Sequence, residues 1–242
     1  GPYLSGGFPI QNKESMARVY ESYSLYFYNM KIFAHRGFSY KFKESTLSAY
    51  QGAIDVGADG LECDVRLTKD NVAVCFHDRN TKRIAGFNKR IASLTLDELR
   101  EITEVVTLEE LLELAKNAKR EVLVETKHPV ISGGRIERVV IELSKRYKFT
   151  AMSFSLLAVM RFKRELSDVA YVVAHRWRLL YLPTRKVAID VELFAKSSWT
   201  RKRLIGREVL LWTVNDQKYA QPIKEWKVAG VITDRPDLPF RS

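Results

Sequence analysis

The sequence predicts a (β/α)8 barrel, a TIM barrel, with an irregular, helix-free connection between strands 2 and 3. Three observations predict it. From Lys31 onward, short apolar runs alternate with segments of helical periodicity, the rhythm of a parallel sheet with crossover helices. Nine such runs fall in about 210 residues, which fits eight barrel strands with one run short or outside the barrel. Polar residues collect at the ends of the runs, the end at which such a barrel carries its chemistry. An open doubly wound sheet is the alternative architecture.

In chain order, residues 1–30 read as a lead separate from a single barrel domain at 31–242. Gly1-Pro2 reads as a protease scar and Gly6-Gly7 with Pro9 as a flexible stretch. Ser15 fits the cap of a short helix over 16–28, whose stripe of Tyr20, Tyr23 and Phe27 reads as packing. Strands are expected at 31–35 and 60–65, joined by a helix at 46–57. Only Thr68-Lys69-Asp70-Asn71 separates Leu67 from Val72, and a parallel crossover needs a dozen or more residues. The chain therefore folds back there, hairpin-like, before the run at 72–77 enters the barrel. Helices at 95–102 and 107–118 lead to a strand at 121–126, and a helix at 135–147 leads to 149–153. A helix at 155–166 precedes the run at 169–173, and the run at 187–191 follows. A helix at 197–205, the run at 208–213, a helix at 216–227 and the run at 229–232 complete the round.

The chain has 242 residues, 46% of them hydrophobic, so a domain this size buries roughly 70–75% of its unfolded surface and is not disordered. No stretch approaches the ~20 apolar residues of a membrane span. The first 30 residues lack the apolar core of a secretory signal. The expected compartment is the cytoplasm, with export and peripheral membrane association left open. Forty basic against 29 acidic residues favour an anionic partner. The excess concentrates at 161–207, with twelve Lys/Arg and four acids. That region reads as a solvated basic helix layer or as a face for anionic lipid. No nucleic-acid motif accompanies the charge, so no nucleic acid is expected.

Four run ends carry charge: His35-Arg36-Gly37, Glu62 with Asp64, His77-Asp78, and Glu125 with Lys127. Residues i and i+2 of a strand share a face, so Glu62 pairs with Asp64 and Glu125 with Lys127. Facing inward, three carboxylates converge at the mouth and repel one another unless a cation sits among them. Hard oxygen ligands suit Mg2+, Ca2+ or Mn2+ rather than Zn2+. The other reading is an ion-pair network with Arg36 and Lys127. The same parity turns Cys63 outward and Cys75 inward, which argues against a disulfide and for buried thiols in a reducing compartment. His35 and His77 can divide general-base and general-acid roles, or serve as metal ligands or hydrogen-bonded core groups. Arg36 offers a planar fork for phosphate oxygens and Lys127 a point charge. Together these groups suit cleavage of a phosphate ester. His128 and His175 read as surface or packing residues, and Trp177, Trp199 and Trp226 as packing.

Several segments, in this order and spacing, are similar to one known family. They are Ala34-His35-Arg36-Gly37, Glu44-Ser45-Thr46-Leu47, Gly60-Leu61-Glu62-Cys63-Asp64-Val65 and Phe76-His77-Asp78. Glu125-Thr126-Lys127-His128-Pro129, Ser153-Phe154, Trp212-Thr213-Val214-Asn215 and Gly230-Val231-Ile232-Thr233-Asp234-Arg235-Pro236 follow. Residues 31–237 resemble the glycerophosphodiester phosphodiesterase family, of bacterial type. The resemblance implies a phospholipase-C-like phosphodiesterase barrel and one divalent cation, Ca2+ or Mg2+, on Glu62, Asp64 and Glu125. It implies His35 and His77 as the acid/base pair, with His35 taken as base and His77 as acid. Arg36 and Lys127 would hold phosphate, Phe154 and Trp212 would line the glycerol side, and Glu44 would support the site. The implied reaction is hydrolysis of glycerophosphodiesters to sn-glycerol 3-phosphate and an alcohol, a step of glycerol and lipid metabolism.

The sequence departs from the family in two places. The family's Pro-Glu-Asn-Thr reads Lys43-Glu44-Ser45-Thr46, which brings a lysine near the mouth and leaves Ser45 to cap the next helix. The segment between Asp78 and Leu108 is about 30 residues, which suggests a small lid and an open site. Two other readings are lysophospholipase D-type cleavage of lipid headgroups, and an inactive barrel that binds anionic lipid or a membrane surface through 161–207.

Overall fold

The structure, a computed structural model, describes residues 29–128 and 133–241. Residues 1–28 of the lead, with its short helix, and Pro129 lie outside the described residues. Nine strands form: β1 (Lys31–His35), β2 (Gly60–Leu67), β3 (Ala73–Cys75), β4 (Glu121–Thr126), β5 (Thr150–Ser153), β6 (Val169–Val173), β7 (Lys186–Asp190), β8 (Glu208–Trp212) and β9 (Gly230–Thr233). All but β3 are parallel, and β1 pairs with both β2 and β9, so eight strands close into a barrel.

β3 corrects the expectation that the third run enters the barrel. It runs antiparallel on β2, with Val65 opposite Cys75 and Leu67 opposite Ala73. The physical reason is the short β1, whose last pairing is His35 with Glu62. Beyond Glu62 that edge of β2 is free, and the hairpin fills it. The same placement overturns the reading of the cysteines. Because β3 lies outside the barrel, Cys75 does not point inward; its thiol lies beside that of Cys63 in the layer between barrel and helices. Both thiols are free and buried.

Inside the barrel, Phe33, Leu123, Met152, Ala170, Val172, Ala188, Leu210 and Ile232 form one apolar floor. Alternation gives the opposite face, including Leu61, Cys63 and Val65, to the larger core under the helices. Gly60 makes the floor possible. A Cβ there would lie 2.4 Å from the Phe33 ring and 2.8 Å from the Glu121 carbonyl oxygen.

The helices are α1 (Leu47–Asp55), α2 (Lys82–Ala85), α3 (Leu96–Ile102), α4 (Leu108–Asn117), α5 (Arg135–Ser144), α6 (Leu156–Glu165), α7 (Val191–Lys196), α8 (Ser198–Arg203) and α9 (Ala220–Trp226). Thr95 and Thr107 start α3 and α4 with reciprocal capping boxes to Glu98 and Glu110. Thr46, not Ser45, caps α1: its hydroxyl accepts from the Ala49 N–H at 3.2 Å, while Ser45 sits at φ +58°. An N-cap keeps its backbone in the β region, as Thr46 does, so the role passes over Ser45 to the next residue. The segment expected to form a small lid carries α2, α3 and its own core of Val74, Phe76, Ile91, Leu99 and Val105.

Most of the twelve Lys and Arg in 161–207 are exposed, but several are used within the fold. Arg201, Arg203 and Arg207 donate to the carbonyls of Ala195, Leu179 and Thr184, and Lys186 pairs with Asp168 at 2.7 Å. Trp226 packs edge-on against Phe194, as expected, but Trp177 is 64% exposed, because the 3-10 turn Arg176–Leu180 lifts it off the core. Among the described residues no helix is long and apolar enough to cross a membrane.

Candidate active site

One step above the apolar floor, the same inward faces turn polar. His35 follows Phe33 by two residues, Glu62 and Asp64 follow Gly60, Glu125 follows Leu123, Phe154 follows Met152, and Trp212 follows Leu210. Period-two alternation therefore aims these side chains at one mouth. His77 arrives differently, on the chain that leaves the β3 hairpin. A cavity of about 190 Å³ is lined by His35, Arg36, Glu62, His77, Glu125, Lys127, Phe154 and Trp212, among others. Asp64 lies directly beneath, 2.9 Å from Lys127 Nζ and 2.8 Å from Arg36 Nε. Glu44 supports from outside: it accepts from Arg36 Nη1 at 3.1 Å and from Arg83 Nη1 at 2.6 Å. The structure thus gathers all ten expected site residues.

The turn after β1 is built for this. Arg36 and Gly37 both take positive φ, +58° and +83°. A Cβ on Gly37 would stand 2.6 Å from the Ala49 backbone, so only glycine fits. The turn sends the Arg36 amide back to Glu62, donating to its backbone carbonyl at 3.0 Å and its Oε2 at 3.2 Å.

Both histidines are backed by an aspartate. His35 Nδ1 lies 2.6 Å from Asp234 Oδ1, and His77 Nδ1 lies 2.7 Å from Asp78 Oδ1. Burial works to raise the Asp234 carboxyl, but bonds from His35, Asn215 and Ser39 outweigh it and hold it low. The Arg83 hydrogen bond, against some burial, holds Asp78 down at about 2. Two ionised aspartates accept only, so each Nδ1 carries a proton and each Nε2 faces the cavity. Burial lowers the His77 pKa, partly opposed by Asp64 and Asp78. Sequence reasoning gave no role to Asp234 or Asp78. Both were visible as residues at run ends, Asp234 two places beyond inward Ile232 and Asp78 beside His77.

The carboxylates are unequal. Burial, then repulsion from Asp64 and Glu125, pushes Glu62 well above the usual carboxylate range. Burial and Asp64 raise Glu125 to about 7, against the pull of Lys127. Asp64 is also buried, yet Lys127 and Arg36 outweigh that and hold it low. The ion-pair network is therefore real but incomplete: it ionises Asp64 and leaves two carboxyls short of positive charge. His35, Glu62 and Asp64 each offer a ligand atom within 4.8 Å of the others, a group that could hold a metal ion. Glu125 is not in that group; its Oε1 accepts from Lys127 at 3.0 Å. This hard, carboxylate-rich donor set fits a divalent cation.

On the far wall, the rings of Phe154 and Trp212 meet edge to face, 5.8 Å between centroids. Trp212 Nε1 is buried and has no hydrogen-bond partner among the described residues. Neither His128 nor His175 lines this cavity. His128 Nε2 lies 3.2 Å from Thr126 Oγ1, and His175 is exposed before the 3-10 turn.

A family model, described as the glycerophosphoryl diester phosphodiesterase family, matches residues 35–238. The chain belongs to that family. A Mycobacterium tuberculosis relative, "Probable glycerophosphodiester phosphodiesterase 1", is 31% identical over 85% of this chain and 89% of its own length. A "Glycerophosphodiester phosphodiesterase" of Caldanaerobacter subterraneus is 26% identical over 85% of this chain and 94% of its own. The crystal structure of a Thermotoga maritima glycerophosphodiester phosphodiesterase superposes with a TM-score of 0.76 at 28% identity, covering 86% of this chain and 96% of that one. The fold is also that of an Oleispira antarctica phosphodiesterase, described in complex with its product sn-glycerol-3-phosphate (TM-score 0.76, 23% identity, 88% and 96% covered). The relatives are of bacterial type. The chain is an enzyme of this family, and neither lysophospholipase D action nor an inactive barrel is favoured.

Proposed function

We propose that the chain, with 31–242 as one catalytic domain, hydrolyses glycerophosphodiesters to sn-glycerol 3-phosphate and an alcohol. The observation that carries the reading is two aspartate-backed histidines facing one cavity across a buried carboxylate cluster. The diester phosphate sits between Arg36 and Lys127, both of which line the cavity. Trp212 Nε1–H, which has no partner among the described residues, donates to a glycerol hydroxyl, and Phe154 packs on the carbon chain. His35 Nε2 takes a proton from the attacking hydroxyl, either water or the substrate's own glycerol hydroxyl, which then yields a cyclic phosphate first. The new P–O bond forms as the P–O bond to the alcohol breaks, and His77 Nε2 gives its proton to the departing alkoxide. Asp234 and Asp78 keep the imidazoles oriented and stabilise the charge that each carries in turn. Glu62, Asp64 and Glu125 would hold one divalent cation, Ca2+ or Mg2+. Bound there, it supplies positive charge to the phosphoryl oxygen and acidity to the attacking hydroxyl.

The test is incubation with glycerophosphocholine and Ca2+ or Mg2+, with released glycerol 3-phosphate followed by a coupled dehydrogenase. Metal-dependent release that EDTA abolishes supports the reading; absence of release with either ion opposes it.

One observation also supports contact with a lipid surface. Leu157, Trp177, Leu180 and Tyr181 are exposed at the mouth side of the barrel, beside Arg176. Aromatic and leucine side chains next to arginine suit the headgroup boundary of an anionic membrane. Co-sedimentation with phosphatidylserine vesicles, lost in Trp177→Ala/Leu180→Ala, tests this.

A further inference from the structure

Six cations gather around one pocket that lies outside the basic stretch 161–207. A pocket of about 550 Å³ opens between the β2–β3 hairpin, the chain after His77 and the start of α5. Arg66, Lys69, Arg79, Arg90, Lys127 and Arg135 line it, and no carboxylate is among its described lining residues. Lys69, Arg79 and Arg90 have no ion pair or side-chain hydrogen bond among the described residues. Arg66 lies within electrostatic reach of Arg79 and also of Asp64 and Asp78, so Arg79 adds like charge to a group already held by the active-site acids. The ten-residue α5 opens onto the same space, and Gly134 at its cap has no side chain to occupy the first N–H groups. Like charges brought together beside a helix N-terminus form a site that an anion completes.

The pocket adjoins the active site. Lys127 lines both cavities. Arg66 continues the inward series of Glu62 and Asp64 on β2, and its Nε donates to the His77 carbonyl oxygen at 2.7 Å. The pocket therefore lies on the His77 side, where the proposed reaction sends the alcohol.

We infer that this pocket receives a second phosphate carried by the alcohol half of the diester. The inference rests on the reaction proposed above and names its substrate class: diesters whose leaving alcohol is itself phosphorylated. A single carboxylate would leave most of these cations unmatched, whereas a phosphate offers several oxygens and up to two charges. A terminal phosphate monoester and an internal phosphodiester share this chemistry.

Three diesters separate the cases: glycerophosphoglycerol, the same molecule with a terminal phosphate, and bis(glycerophospho)glycerol. Two readouts are needed, kcat/KM with metal and Kd by calorimetry in EDTA, where turnover is stopped. At low salt, wild type is expected to favour at least one phosphorylated compound over glycerophosphoglycerol by about tenfold or more in both. The preference fades with salt as screening shortens the reach of exposed charge to about 8 Å at 0.15 M. Arg79→Ala/Arg90→Ala removes most of the preference, Arg79→Lys keeps part of it, and circular dichroism checks the fold. A larger gain for the monoester points to a terminal phosphate, and equal gains point to an internal one. A ratio near one in wild type, or a ratio that the double variant leaves intact, overturns the inference. If no diester is turned over, the proposed reaction fails, and the Kd ratio still decides the pocket.

Discussion

His35 Nδ1 and Asp234 Oδ1 lie 2.6 Å apart, although 199 residues separate them in the chain. The contact exists because the barrel closes. β9 pairs beside β1 with Thr233 opposite Ala34, which carries the next residue of each strand to the same rim. Closure of the fold and the tautomer of His35 are one event. Asp234→Asn should therefore lower kcat by about 10²–10⁴, since an amide in that place can donate and favours the other tautomer. Thermal unfolding should change little. Steady-state kinetics beside a melt decide it; a kcat within about threefold of wild type would remove this pair from the chemistry.

Asp78 gives a pH-dependent contribution of known sign. Hydrogen bonds from Arg83 and then His77 hold its carboxyl at about 2 in the folded chain, below the ~3.9 of an unfolded aspartate. The stabilisation is present above the unfolded value and is lost as pH falls toward the folded one. Urea midpoints of wild type and Asp78→Asn should differ most at pH 5–7, with the gap shrinking as pH falls from about 4 toward about 2. A gap that stays constant over that range would show that the ion pair contributes nothing.

Metal dependence should also appear in stability. Burial and its neighbours already disfavour a charge on Glu62, so Glu62→Gln should leave the metal-free protein as stable as wild type or more so. Divalent cation should raise the wild-type melting temperature, as any ligand of the native state does, and not that of the variant. An equal rise in both would place the ion elsewhere.

Much of this site was legible before any coordinates. Apolar runs ending in charge, read with period-two alternation, place Glu62, Asp64, Glu125 and His35 on one rim because strand geometry leaves little choice. The short Thr68–Asn71 link announced a hairpin. What it did not announce was the side on which the hairpin lies, since that depends on β1 ending at His35 and freeing an edge of β2. Cys75 was misplaced for the same reason. Asp234 and Asp78 were in view but silent, because a carboxylate behind a histidine is a relation across the fold rather than along the chain. The use of Arg201, Arg203 and Arg207 against carbonyls was likewise invisible in a count of charges.

Ser45 marks a local cost. It holds φ +58°, where asparagine and glycine are at ease and serine is not. Ser45→Asn, which restores the family's residue, should stabilise the protein by about 0.5–1 kcal/mol. A lower urea midpoint would mean that the buried position has no room for the amide.

The central claim is that two histidines carry one phosphodiester hydrolysis. Phosphorus NMR of glycerophosphocholine with metal tests it most directly, run on wild type, His35→Ala and His77→Ala after each variant is shown to be folded. Wild type should convert the diester resonance to glycerol 3-phosphate, and each variant should do so slower by about 10²-fold or more. Turnover at the wild-type rate in either variant, or a different phosphorus product, would contradict it.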